Sequence, residues 1–385
     1  MKKGTILMGL IISFFTTVNA QNSAEKILGS NKGLNIGGYG QIDYNRVINS
    51  DINYNATLDV HRIVTFIGYN FNDKTSFVSE IEMEHVTESY VEQAFLSHRI
   101  KNNISVNAGL MLIPMGIQNL YHEPPTFNGV ERTNVDKYIV PTTWREMGVS
   151  VNGRVLDNTL TYEIMLVNGF NGFDGESSFS GKSGLRGGRQ KGAKSYMTHP
   201  DLATRFSYTA VPGLNIGFSV YLGESESKEY NGLDLTDESA VASADSTIIG
   251  INMFGLDSRY NKGAFQFRAQ YILGNLSNTA QYNVKTSADV GSVISGYYSE
   301  LGYDILNRYK TENKLITFAR FENYNTHKQT DGVAVNSDYD RTDITFGVGF
   351  KVAYGAMFKV DYQIKSDAGS DTNTYQLNLG TAIWF

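Results

Sequence analysis

The chain contains no cysteine, which excludes a disulfide framework, a thiolate metal site and a lipid anchor on an N-terminal cysteine. Proline is scarce: the chain has six, and four of them (Pro114, Pro124, Pro125 and Pro141) fall in one short region. Past residue 20, no apolar run approaches the roughly 20 residues that a membrane-spanning helix needs. Enzyme motifs are missing as well. His61, His85, His98, His122, His199 and His327 are scattered, with no HExxH and no close ligand pair, and there is no GxSxG. Glu84 and His85 are adjacent, but strand neighbours point to opposite faces. The spacing therefore offers no catalytic residue, no metal set and no cofactor motif. The formal charge of −6, from 33 basic and 39 acidic side chains, argues against a nucleic-acid partner.

What is present begins with MKKGTILMGLIISFFTTVNA: two lysines, an apolar run from Ile6 to Phe15 and a small-residue exit at Ala20. That pattern predicts a secretory signal peptide over 1–20, cleaved before Gln21. Its removal takes Lys2 and Lys3 and no acid, so the charge goes from −6 to −8. An exported chain without an apolar helix is either a soluble secreted protein or an outer-membrane barrel, whose spanning segments are about 10 residues of alternating character.

The alternation is clearest near the C-terminus. Ile344, Phe346, Val348, Phe350 and Val352 share one parity, and Thr345, Gly347, Gly349 and Lys351 the other. Phe358, Val360, Tyr362 and Ile364 likewise oppose Lys359, Asp361, Gln363 and Lys365. Each such segment has one oily and one wet face. About sixteen strands are predicted, near 34–47, 56–71, 75–87, 89–100, 104–112, 144–154, 159–169, 200–210, 214–223, 246–260, 264–273, 293–306, 314–325, 341–353, 356–366 and 373–385. Tight turns such as Asn72-Asp73-Lys74 and Tyr354-Gly355 alternate with long connections at 113–143, 170–199, 224–245, 274–292 and 326–340. The connection near 307–313 is the exception, longer than its place in this order demands. A soluble sandwich has no reason to sort its connections this way, whereas short turns at one end and long loops at the other mark a transmembrane antiparallel β-barrel. The expected organisation is a signal peptide (1–20), an N-terminal lead (21–33) and an outer-membrane barrel (34–385).

Three stretches carry a family resemblance: LDVHRIVTFIGYNFNDKTSFVSEIEMEH (58–85), HEPPTFNGVERTNVDKYIVPTTWRE (122–146) and GLRGGRQKG (184–192). They resemble Bacteroidetes outer-membrane porins related to the phosphate-selective porin O/P family. The resemblance implies a sixteen-stranded barrel, a homotrimer, passive passage of small hydrophilic solutes, and a third external loop folded into the lumen. By strand order that loop is 113–143. Phe385 resembles the terminal aromatic residue by which barrel-assembly machinery recognises its clients.

The loop 113–143 is too long to lack a role unless disordered, and Tyr121, Phe127, Tyr138, Ile139 and Trp144 beside it argue against disorder. It reads as a constriction loop whose charges are Glu123, Glu131, Arg132, Asp136, Lys137 and Arg145; the other reading is a packed extracellular loop. The segment around 172–194 is glycine-rich and carries Lys182, Arg186, Arg189, Lys191 and Lys194. It is either a basic patch that concentrates anions at a pore mouth or a flexible solvated loop. The acidic stretch 224–240 reads as an external loop, bridged by divalent cations to lipopolysaccharide. Parity assigns Glu80, Glu82, Glu84, Arg268, Arg320, Glu322, Asp343, Lys351, Lys359, Asp361 and Lys365 to the lumen, where rings of charge set ion preference. The row Glu80, Glu82, Glu84 runs against a phosphate preference. The expected function is a passive outer-membrane porin; a closed structural or adhesive barrel and a barrel hydrolase remain as alternatives.

Overall fold

In the computed structural model, residues 33–49 and 51–385 are described. The predicted signal peptide and all but the last residue of the lead lie outside them. Sixteen strands form one closed antiparallel ring: β1 (Gly33–Ile48), β2 (Thr57–Asn70), β3 (Thr75–Glu84), β4 (Glu88–Lys101), β5 (Ile104–Leu112), β6 (Arg145–Val155), β7 (Leu160–Val167), β8 (Asp201–Tyr208), β9 (Leu214–Glu224), β10 (Gly250–Lys262), β11 (Phe265–Ser277), β12 (Val293–Asp304), β13 (Lys314–Gln329), β14 (Asp340–Ala353), β15 (Ala356–Asp367) and β16 (Thr374–Trp384). Every strand pairs with its sequence neighbours, and β1 closes on β16 with Tyr39 opposite Trp384. Phe385 finishes the seam: its N–H donates to the Gly38 carbonyl at 2.9 Å and its carbonyl accepts from the Gly38 N–H at 2.8 Å. Glycine is required at 38, because a Cβ there would lie 2.3 Å from the Val64 carbonyl oxygen. Closure leaves no unpaired edge for lipid to meet.

The parity read from the sequence becomes two faces of one wall. In the β14/β15 pair, Ile344 faces Ile364, Phe346 faces Tyr362 and Phe350 faces Phe358, while Asp343 faces Lys365 and Thr345 faces Gln363. The first set points out and the second in. Phe358 is 58% exposed whereas Arg320 and Glu322 are each 1% exposed, so apolar side chains cover the outside and charges fill the inside. That is the reverse of a soluble fold and suits a ring surrounded by hydrocarbon.

The turns at 71–74, 102–103, 156–159, 209–213, 263–264 and 354–355 sit at one end, together with 305–313, which contains a short 3₁₀ turn at Ile305–Arg308. The opposite end carries 49–56, 85–87, 113–144, 168–200, 225–249, 278–292, 330–339 and 368–373. Two of its long connections fold further. The acidic one forms a helix over Glu238–Asp245, capped by Asp237, whose carboxylate accepts from the Ser239 and Ala240 N–H groups. The turn that closes this helix takes up 246–248, where a strand is predicted to start, so β10 begins at Gly250.

Candidate functional site

The connection 113–144 turns into the barrel and fills part of it with two single-turn helices, Ile117–Leu120 and Val135–Tyr138, and a 3₁₀ turn at Pro124–Thr126. One side of it is apolar. Ile113, Met115, Ile117, Val135, Ile139, Val140 and Trp144 share a buried core with Met165, Val167, Tyr221, Ile251, Ile272 and Tyr298 of the wall, and with Phe170, Phe179 and Leu185 of the segment 168–200. Trp144 packs at 4.6 Å from the Phe170 ring and 4.7 Å from the Tyr221 ring, and its indole N–H donates to Glu146 at 3.2 Å.

The other side is polar, and here the wall's charges act as tethers. The Lys359 ammonium donates to the carbonyls of Pro124, Phe127 and Gly129 at 2.6, 2.7 and 2.8 Å. Asp361 accepts from the Val130 N–H at 2.6 Å, and Glu322 from the N–H groups of Asn134 and Val135 at 2.6 and 3.2 Å. Asp343 accepts from the Asn134 amide, and Glu300 from Asn128 at 2.9 Å. Arg320 holds the row together, 3.5 Å from Glu300 and 3.2 Å from Glu322, and Arg268 lies 3.6 Å from Glu300. Small residues make room for the loop: a Cβ at Gly380 would come within 2.8 Å of Val130, and one at Gly296 within 2.9 Å of Ile139.

Two cavities flank this loop. One, of about 380 Å³, opens at the turn end and is lined by Asn103, Tyr121, Arg154, Glu163, Arg205 and Asn215 among others. Within it Arg205 makes a bidentate pair with Asp257 at 2.7 and 2.8 Å. On the same side of the loop, the Arg259 guanidinium sits 3.7 Å from the Tyr121 ring centre. The second cavity, of about 420 Å³, opens at the loop end. Its charged lining is Arg62, Arg132, Lys137, Arg186 and Lys365 against Asp59, Glu131 and Asp136, with His61 and His85 beside them. Five cations line it against three carboxylates; Arg62 is paired with Glu82 and Glu84 behind it, so the positive excess rests on Arg132, Lys137, Arg186 and Lys365. Burial holds the Asp136 carboxyl up at about 6, against hydrogen bonds from Thr133 and Gln270.

The structure sorts the predicted site residues. Glu131, Arg132 and Lys137 line the loop-end cavity, and Asp136 borders it although 0% exposed; Glu123 and Arg145, at 2% exposure, do not line it. Of the parity-assigned charges, Lys365 reaches that cavity, Lys359, Asp361, Glu322 and Asp343 are tied to the loop, and Lys351 sits near the turn end, 5.2 Å from the Tyr354 ring. Glu80 and Glu82 are buried, Arg62 lies 3.0 Å from Glu82 and 3.3 Å from Glu84, and none of the three glutamates is among the cavity's lining residues. The basic segment is folded rather than loose. Arg189 donates to the Pro141 and Thr142 carbonyls at 3.2 and 2.9 Å, Arg186 also donates to Thr142, and Lys191 lies 5.1 Å from the Tyr90 ring. Lys182 and Lys194 are exposed.

Spacing revealed no ligand cluster, whereas the fold brings three potential ligands together. His122 lies 3.5 Å from Glu80 and 3.2 Å from Glu92, all three buried. Burial opposes charge on this imidazole, but Glu92 and Glu80 outweigh it and its pKa is pushed up to about 10. Glu92 escaped parity because of a β-bulge: Glu80 pairs with Gln93 and Ile81 with Val91, so Glu92 is the extra residue and turns inward next to Gln93.

No protein-family model matches the chain. An uncharacterized protein of Aquifex aeolicus (strain VF5) is 29% identical over 356 residues, covering 88% of this chain and 77% of that one. Among solved structures, the outer membrane channel DcaP of Acinetobacter baumannii superposes with a TM-score of 0.60 at 12% identity, over 91% of this chain and 97% of its own. The anion-selective porin from Comamonas acidovorans gives 0.58 at 10% identity, over 92% and 100%. Salmonella typhi OmpF, in complex with daunomycin, gives 0.58 at 11%, over 91% and 97%. At such identities the likeness is one of fold: the chain has the closed sixteen-strand barrel of outer-membrane porins.

Proposed function

We propose that this chain is an outer-membrane porin through which small hydrophilic solutes diffuse past the inward loop, with a preference for anions. The observation that carries the proposal is the electropositive loop-end cavity, placed directly above the loop inside a ring that is oily outside and charged within. Low-dielectric walls focus the field of such a cavity and raise the local anion concentration. Of the glutamates that run against an anion preference, Glu80 is turned toward His122, and Glu82 and Glu84 pair with Arg62, which leaves Arg132, Lys137, Arg186 and Lys365 as the cations facing the cavity. Phosphate is one candidate among small anions, as the resemblance to phosphate-selective porins suggests. Lipid covers the outer face, lipopolysaccharide surrounds the external loops, the assembly machinery reads Phe385, and the trimer of related porins is the assembly in which the chain works.

The filled lumen at loop level favours a second reading, a closed structural barrel. Planar-bilayer recordings separate the two. The porin reading expects stepwise conductance from the purified chain, rising severalfold when 117–138 is replaced by a short Gly-Ser linker. A closed barrel conducts only after that deletion, and absence of conductance in both would remove the channel proposal altogether.

A further inference from the structure

The cluster Glu80, Glu92 and His122 takes no part in lining either cavity, yet it is built with care. Three elements meet there: β3 supplies Glu80, the bulge in β4 supplies Glu92, and the inward loop supplies His122. Their ligand atoms lie within 4.8 Å of one another. The separations of 3.5 and 3.2 Å from His122 Nε2 to the two carboxylates match the edge of a tetrahedron with metal–ligand bonds of about 2.1 Å, which is close to 3.4 Å.

Each of the three also makes a hydrogen bond outside the cluster, and for Glu92 this falls on Oε2, the oxygen that faces His122. His122 Nδ1 lies 3.2 Å from the Asn119 carbonyl, which accepts its N–H and leaves Nε2 aimed at the carboxylates. Gln93 donates to Glu80 Oε2 at 2.7 Å, and the Tyr39 hydroxyl to Glu92 Oε2 at 3.0 Å. Metal-ligating histidines and carboxylates are held by outer hydrogen bonds of this kind. Glu92 Oε1 has no hydrogen-bond donor although the residue is 0% exposed, and Glu80 Oε1 faces only His122 Nε2, at 3.5 Å. A buried carboxylate oxygen without a donor is costly unless a cation meets it.

We propose that Glu80, Glu92 and His122 bind one divalent first-row transition cation of the Zn²⁺ type, which fastens the inward loop to the β3–β4 wall. One imidazole and two carboxylates suit Zn²⁺ or Mn²⁺; the nitrogen donor disfavours Ca²⁺ and Mg²⁺, and the lack of sulfur disfavours Cu⁺. A fourth position remains for water or a further carboxylate oxygen. The cation replaces the imidazole proton as the positive charge between the two glutamates. The metal then adds an anchor on β3–β4 to those that Lys359 and the wall carboxylates supply from β12 to β15.

The test uses the folded full chain in detergent, washed with chelator, given one equivalent of Zn²⁺ and desalted, with bound metal counted by mass spectrometry. One Zn²⁺ per chain is expected, and binding about tenfold or more weaker in His122→Gln and Glu92→Gln. Heat-modifiable migration confirms that each variant is folded. Should a variant fail to fold, Co²⁺ loading of the unaltered chain gives a second readout: visible bands of a nitrogen–oxygen site of low coordination number, erased by Zn²⁺. Absence of both stoichiometric Zn²⁺ and Co²⁺ bands would leave a proton-bridged His–Glu cluster in place of the metal. Equal retention by wild type and both folded variants would move the metal elsewhere. Neither result depends on whether the barrel conducts.

Discussion

The inward loop meets the barrel in two different ways. Along β7 to β12 it is packed: Val135, Ile139 and Trp144 enter an apolar core with the wall and the segment 168–200. Toward β1 and β12 to β15 it is hung, by Lys359, Asp361, Glu322, Asp343 and Glu300 and by the Gln41 amide, which donates to the Val130 carbonyl at 3.1 Å. Apolar packing excludes water and carries no information about charge. Hydrogen-bonded suspension keeps ionisable groups beside the loop, and the loop-end cavity with its charged lining lies on that flank, reaching Gln41, Asn45 and Lys365. The contrast assigns permanence to one flank and selectivity to the other.

Perturbing each flank separately tests that division. The largest effect on stability is expected from Trp144→Ala, which deletes the largest fully buried side chain of the core and costs roughly 3–5 kcal/mol. Urea titration of folding into detergent micelles reads this, with ion preference unchanged. Lys359→Met strips three buried carbonyls of their donor, a loss on the order of 3 kcal/mol by analogy with breaking a buried charge pair. Here the loop itself should loosen, giving larger and noisier conductance steps. If Lys359→Met leaves the steps unaltered while Trp144→Ala changes ion preference, the roles of the flanks are reversed. A smaller effect comes from pH. Asp136 borders the cavity with a pKa held at about 6 by burial, so lowering pH through 6 protonates it and removes one of three negative charges. Anion preference should rise between about pH 7 and 5, and the rise should vanish in Asp136→Asn. The smallest effect is expected of Lys351→Ala at the turn end, within about 0.5 kcal/mol of wild type.

The ring was legible in the sequence because lipid on one side and water on the other impose period-2 alternation on every strand. The alternation located all sixteen strands; the differences lie at ends such as β13, which runs on to Gln329 because the loop beyond it is shorter than expected. Parity also placed Lys359 and Asp361 inside. It could not tell a charge that faces solute from one that holds a loop, because Lys359 finds its three carbonyls about 230 residues away in sequence. Glu92 was hidden by a bulge, which shifts parity by one residue and leaves no mark in composition. Arg189 illustrates a different limit: its glycine-rich surroundings left a basic pore mouth and a flexible solvated loop both open, but Leu185 and Phe179 anchor the segment in the core and turn the arginine onto the Pro141 and Thr142 carbonyls.

The most direct measurement is the zero-current potential of single barrels in a planar bilayer under a tenfold KCl gradient, for the wild type and for the double variant Arg132→Glu, Lys137→Glu. Both residues line the loop-end cavity, and neither lies in the apolar core. Five cations against three carboxylates become three against five in the variant. The wild type should give a potential of the sign set by chloride, and the variant a potential of the opposite sign at similar conductance. A cation-selective wild type, or a potential that both proteins share, would contradict a pathway governed by this cavity and the loop beneath it.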